Sequence, residues 1–277
     1  MVELISEDRE SQKPSESAPS AGTVALVGAG PGDPELLTLR AVERLSKADV
    51  VIHDSLAAPE LLQRHAPNAR HINAGKHRGK ALLSQAEIND LLVTLAKAGR
   101  RVVRLKGGDP CVFGRAQEEC QALEAAGIDY EIVPGVSSLS AVPAAAGIVV
   151  TDRDVGRSLG AFSLHKRDGK LPDEDEWRRM AKGADTLVLF MGRSVTEEAC
   201  ACLIQHGRDR STPAALIVNG TRPNQRVVVG TLQSLGKSAE AISEVGPGLI
   251  VLGEVVRQKR EFAELIDAAA RNVNASD

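Results

Sequence analysis

At 277 residues, with 43% hydrophobic and 26% charged side chains, the chain is long enough to bury one large core or two ordinary ones. A formal net charge of -3 and an aromatic content of 2% exclude bulk attraction to nucleic acid or membrane and the stacking platforms of single-strand binders. The apolar runs fall short of a membrane span, and Cys111, Cys120, Cys200 and Cys202 have neither disulfide-framework density nor zinc spacing, so a reduced, cytoplasmic setting is expected.

Residues 1–21 carry Glu3, Glu7, Asp8, Glu10 and Glu16 against Arg9 and Lys13, and are expected to form a disordered tail. Val24–Arg40 then runs strand, glycine turn, helix: a β-branched start at Val24, a turn on Gly28, Gly30, Pro31 and Gly32, and a helical pattern through Glu35–Ser46. A turn of this kind presents backbone N–H groups to a ligand. The dinucleotide fingerprint would need a third glycine where Asp33 stands, and a carboxylate there repels a pyrophosphate. Asp54, which ends the next apolar run, only imitates the ribose-binding acid of such sites. NAD binding is therefore disfavoured.

Strands are predicted at Val24–Ala29, Asp49–His53, Arg101–Lys106 and Tyr130–Val133, with helices at Glu35–Ser46, Ser84–Ala98 and Arg115–Ala126. Alternation of this kind reads as a parallel sheet covered by helices. Ser84 with Glu87 forms a capping-box pattern ahead of Ile88, Leu91, Leu92 and Leu95. A second glycine cluster, Arg104–Arg115, also follows a strand and precedes a helix, so both glycine turns are expected at one carboxyl edge of the sheet. Pro134–Ser138 reads as a hinge into a second unit. Strands there are expected at Ala161–His165, Thr186–Phe190, Ala214–Val218, Gln225–Val229 and Leu249–Leu252, with helices at Asp175–Ala181, Val195–His206 and Leu232–Ala239. The turn-rich link between Ala214–Val218 and Gln225–Val229 predicts an antiparallel pair. The expected fold class is α/β, with a parallel-sheet domain (22–136), a mixed-sheet domain (137–258), a cleft between them and a closing helix and tail (259–277).

In order along the chain stand GAGPGDPELLTLRA, the strand end His53–Asp54, RLKGGDPCVFGR, VPGVSS, VTDR at Val150–Arg153, Phe190–Met191–Gly192 and a late Gly246–Pro247–Gly248 strand. Together they resemble the tetrapyrrole methyltransferase family, from about residue 22 to 258. KGGDP followed by VFGR is most similar to the branch that methylates uroporphyrinogen III. The resemblance implies two α/β domains, S-adenosylmethionine in the cleft (S-adenosylhomocysteine as product), a homodimer, and no nucleic-acid or membrane partner. The reaction it implies is methyl transfer to C-2 and then C-7 of uroporphyrinogen III, giving precorrin-2 for sirohaem or cobalamin.

Carried over position by position, the resemblance implies that Pro31, Gly107, Gly108, Asp109, Val112 and Phe113 line the cofactor pocket, with Ser137 and Ser138 where the family has a Thr-Ala pair. Met191, Val218 or Asn219, and Leu249 would close the adenosine side. Asp33 is implied as a base and Arg115 as a substrate-orienting or proton-handling residue. For Asp33 the residues themselves equally support an N-cap of the following turn. A substrate with many carboxylates needs local cations, and the sequence offers Lys76–Arg78 with Lys80, Arg115, Arg153 with Arg157, and His165–Arg167 with Lys170. From these Lys76, Arg153 and His165, with Asp54, are the expected substrate contacts. Three positions depart from the family pattern, all on the substrate side: Ser55 where a basic residue is usual, Asp152 in place of a histidine, and Leu164 in place of a glycine. Alternatives are a family member acting on another precorrin, on ribosomal RNA or on a modified histidine, and a cofactor-binding homologue without turnover.

Overall fold

The computed structural model describes residues 22–54, 59–77, 80–166 and 168–259. The acidic segment 1–21, Ser55 and the expected C-terminal helix beyond residue 259 lie outside the described residues. From the amino end come β1 (Val24–Gly28), α1 (Leu39–Ser46), β2 (Val50–His53), α2 (Pro59–His65), β3 (Arg70–Asn73) and the short pair β4 (Lys76–His77) and β5 (Lys80–Ala81). Next are α3 (Gln85–Lys97), β6 (Val102–Lys106), α4 (Ala116–Ala125) and β7 (Tyr130–Val133). Five of these strands form a wholly parallel sheet in the order β3-β2-β6-β1-β7.

The chain continues through α5 (Ser138–Ala145), β8 (Leu159–Ser163), α6 (Glu174–Gly183), β9 (Thr186–Phe190), α7 (Thr196–Gln205), β10 (Pro213–Val218), β11 (Arg226–Thr231), α8 (Leu235–Ala239) and β12 (Gly248–Leu252). The second sheet runs β11-β10-β12-β9-β8 and is mixed: β8 and β9 are parallel, the other neighbours antiparallel. The α/β class and the β10–β11 antiparallel pairing are as the sequence predicts.

The inner strands β1, β2, β9, β10 and β12 are buried on both faces, which explains their near-continuous apolar sequences. Val24 and Leu26 of β1 enter one core while Ala25 and Val27 enter another. In β12, Ile250 and Leu252 face one layer and Leu249 and Val251 the opposite one. The Ser84–Glu87 capping box starts α3, whose Ile88 and Leu92 are buried and whose Leu91 and Leu95 pack partly against the same core.

The helix expected over Glu35–Ser46 is broken. Pro34–Leu36 form one 3-10 turn, Leu37 and Thr38 are extended, and α1 begins only at Leu39 with Thr38 accepting from the Ala41 N–H. Each of Asp33 and Thr38 satisfies its own local N–H groups, so two short starts replace one long helix. α2, β3, the short pair β4 and β5, and α5 are additional to the expected elements. β3 reads Arg-His-Ile-Asn, an edge strand without apolar alternation, and α5 contains Pro143. Segment 134–138 leads straight into α5, whose Val142 packs with Ala215 and Ile217 of the second sheet.

Candidate functional site

β1 and β6 are adjacent and parallel, so the two glycine loops leave the same carboxyl edge. Beyond Gly28 the loops bond to each other: Gly30 N–H donates to Gly108 O at 3.2 Å and Gly108 N–H to Gly30 O at 2.7 Å. Asp109 joins a third loop, because one carboxylate oxygen accepts from Gly135 N–H at 3.0 Å while the other accepts from Cys111 N–H at 2.7 Å. The three backbones meet so closely that a Cβ on Gly28 would lie 2.5 Å from Gly135 Cα and 2.6 Å from Gly108 O. Only glycine fits that junction.

Above it opens a cavity of about 270 Å³ between the two sheets. Gly30, Pro31, Gly107, Gly108 and Asp109 form one wall; Phe190, Met191, Ile217, Gly248 and Leu249 face them from the second sheet. Val112, Phe113, Ser137 and Ser138 also line it. Phe113 and Met191, with φ of 52° and 58°, stay 45% and 48% exposed, and Phe113 rests on Phe190 with ring centroids 4.9 Å apart. Non-glycine residues in that region are strained, and strain of this kind concentrates at ligand sites.

Of the twelve residues expected around the cofactor, the structure brings together all but Val218 and Asn219. Val218 is fully buried in the core, and Asn219 spends its side-chain amide on Val245 O. Their neighbours Ile217 and Gly220, and Arg222 further on, line the cavity instead. A glycine turn after a strand is the same signal that marks the other two loops, and it points to Gly220.

Asp33 and Arg115 are outside the cavity lining. One Asp33 oxygen caps Glu35 N–H at 2.8 Å, so the N-cap reading holds. Arg115, at φ 57°, is clamped by both oxygens of Glu118 at 2.7 and 2.8 Å, and this pairing raises its pKa. Asp54 accepts from Arg104 at 2.6 Å. Arg153 and Arg157 border a separate hollow with Thr151, Asp152 and Gly156. Asp152, one of the three departures, accepts from the Asp154 and Val155 N–H groups, and these bonds lower its pKa. Leu164, another departure, is fully buried, while His165 stands just past the end of β8, the strand beside Phe190 and β9. Lys76 is in β4, and its side chain lies outside the described detail.

Sequence reasoning missed a buried ionic cluster under the second glycine loop. Glu119 is fully buried and its Oε1 accepts from Lys106 Nζ at 2.7 Å, Arg104 Nε at 3.1 Å and Gln85 Nε2 at 3.2 Å. Burial and the adjacent Arg104 push Lys106 below its usual pKa. Burial works against Arg104 too, but Asp54 and Glu119 outweigh it and its pKa is raised. The alternation Val102, Val103, Arg104, Leu105, Lys106 carried a signal, since cations in a parallel strand require buried partners.

The model of the tetrapyrrole (corrin/porphyrin) methylases matches residues 23–236. Siroheme synthase of Nitrosospira multiformis is 44% identical over 245 residues, which are 88% of this chain and 52% of that protein. The chain thus spans about half the length of the curated relatives it matches. The crystal structure of uroporphyrin-III C-methyl transferase from Thermus thermophilus complexed with S-adenyl homocysteine superposes with a TM-score of 0.74 at 39% identity, covering 85% of this chain and 99% of that one. A cobalt precorrin-4 methyltransferase structure gives a TM-score of 0.77 at 27% identity, covering 87% and 98%. With the family match spanning most of the described fold and the two-sheet architecture shared with these structures, the chain belongs to the tetrapyrrole (corrin/porphyrin) methylase family.

Proposed function

We propose that this protein is an S-adenosylmethionine-dependent C-methyltransferase that methylates uroporphyrinogen III at C-2 and C-7 to give precorrin-2, on the route to sirohaem or cobalamin. The observation that carries the reading is the cavity itself: backbone loops from the first sheet face apolar side chains of the second. Such a cavity suits an adenosine body, with Ser137 and Ser138 for its polar groups. Gly107, Gly108 and Asp109 would hold the methionine end, and Met191, Leu249 and Gly220 the adenosine end. When bound, the cofactor supplies an electrophilic sulfonium methyl.

The chain's own residues then align and dehydrate the reacting pair. Arg115, held in place by Glu118, would orient a substrate carboxylate, with Arg153 and His165 as further contacts. Asp33 caps with one oxygen only, and we assign its other oxygen to receive the proton that the macrocycle loses. The reading brings with it a homodimer in the cytoplasm.

The test is anaerobic incubation with S-adenosylmethionine and freshly reduced uroporphyrinogen III, read by mass spectrometry beside Asp33→Asn. Gain of two methyl groups, slowed by at least about a hundredfold in Asp33→Asn, supports the reading and the base. Cofactor binding without methyl gain overturns the substrate and turns attention to later precorrins, the chemistry of the cobalt precorrin-4 neighbour.

A further inference from the structure

Next to the cavity-lining residues Pro31, Gly220 and Arg222, a hydrogen bond joins the two walls. The turn between β10 and β11 is anchored to its own side: Asn219 N–H donates to Pro247 O at 2.9 Å, Thr221 N–H to Gln225 Oε1 at 2.8 Å, and Gln225 Nε2 to Ala145 O at 3.0 Å. From that anchored turn Thr221 reaches the first glycine loop, where its Oγ1 accepts from Asp33 N–H at 3.1 Å across 188 residues of sequence. Gly32 sits beneath the next side chain, and a Cβ there would come 2.7 Å from Arg222 Nε. Gly220 and Arg222, on either side of Thr221, both line the cavity. Thr221 itself is held at φ 68°, a region costly for a β-branched residue. That conformation persists because its surroundings over-determine it.

We infer that Thr221 is a positioning residue: its hydroxyl clasps the loop carrying Pro31 and Asp33 to the opposite wall, which retains the bound cofactor and sets the Asp33 carboxylate. The inference rests on the methyltransferase reading for the identity of what is retained. The bond itself is a property of the protein without ligand.

Thr221→Val keeps the shape of the side chain and removes the acceptor; Thr221→Ser keeps the acceptor. Exchange of the Asp33 amide, followed by nuclear magnetic resonance on the full chain without ligand, reads the clasp directly. Titration with S-adenosylhomocysteine reads retention, and the thermal midpoint of each variant controls for folding. The expected result is faster Asp33 exchange in Thr221→Val, a dissociation constant raised about three- to tenfold through faster release, and both restored by Thr221→Ser. In turnover, the same variant is expected to raise KM for the cofactor more than it lowers kcat. Unchanged Asp33 exchange in Thr221→Val overturns the clasp whether or not the ligand binds. Exchange that quickens while affinity stays constant overturns its role in retention. A protected Asp33 amide in wild-type protein that takes up no S-adenosylhomocysteine overturns the methyltransferase reading and retention together, leaving the bond in place.

Discussion

The two walls of the cavity are made of different matter. The first-sheet wall is backbone, held in shape by polar groups: paired loop N–H groups, the Asp109 carboxylate and the buried Arg104–Glu119–Lys106 cluster beneath. The second-sheet wall is side chain, and behind it the core of Leu187, Leu189, Leu203, Leu216 and Leu252 is apolar throughout. A polar scaffold fixes direction at the risk of stranding a charge. An apolar one tolerates reshaping and answers mainly to lost volume.

The sharpest way to break that contrast is Glu119→Gln, which leaves two buried cations without their shared anion. It is expected to cost about 3–5 kcal/mol in urea unfolding, and to weaken cofactor binding through the loop after Lys106. On the apolar side, Leu189→Ala is expected to cost about 2–5 kcal/mol while the dissociation constant of the folded fraction changes little. If Leu189→Ala damaged binding as much as Glu119→Gln, the division of labour between the walls would be wrong. Ser84→Ala removes a cap on α3, behind the polar wall, and should lower the unfolding free energy by about 1 kcal/mol without altering binding.

The smallest effect concerns pH. Asp49, bonded to the Arg101 side chain and backbone at the far edge of the same sheet, has its pKa lowered from 3.8 to about 2. Between those values the unfolded chain binds more protons, so this contribution is complete above about pH 4 and is lost as pH falls toward 2. The pair is partly exposed, so Asp49→Asn should flatten the acid limb of the stability curve only slightly. Acid titration of both proteins by circular dichroism checks it.

What could be read from the residues follows the same division. Apolar strands bounded by glycine announced both sheets and the edge where the loops gather, and the Ser84–Glu87 box marked a helix start that the structure keeps. Long-range polar pairing was illegible. Nothing in the local pattern says that Glu119 takes Lys106 and Arg104, or that Asp109 reaches Gly135, because those bonds join segments whose approach only the fold decides. Arg-His-Ile-Asn became a strand because β2 offered it an edge, against its own weak pattern. Val218 and Asn219 missed the cavity by one step, since alternation along β10 turns Ile217 toward the opening and Val218 into the core.

The mutual bonding of the three glycine loops limits how such a protein can change its ligand over evolutionary time. Gly30 and Gly108 exchange hydrogen bonds, and Gly28, Gly135 and Gly108 touch through their main chains. An inserted or deleted residue in any one loop would dislodge the other two, so length variation there is closed to gradual selection. On the opposite side, at Met191 and Leu249, one cavity-lining side chain can be exchanged at a time.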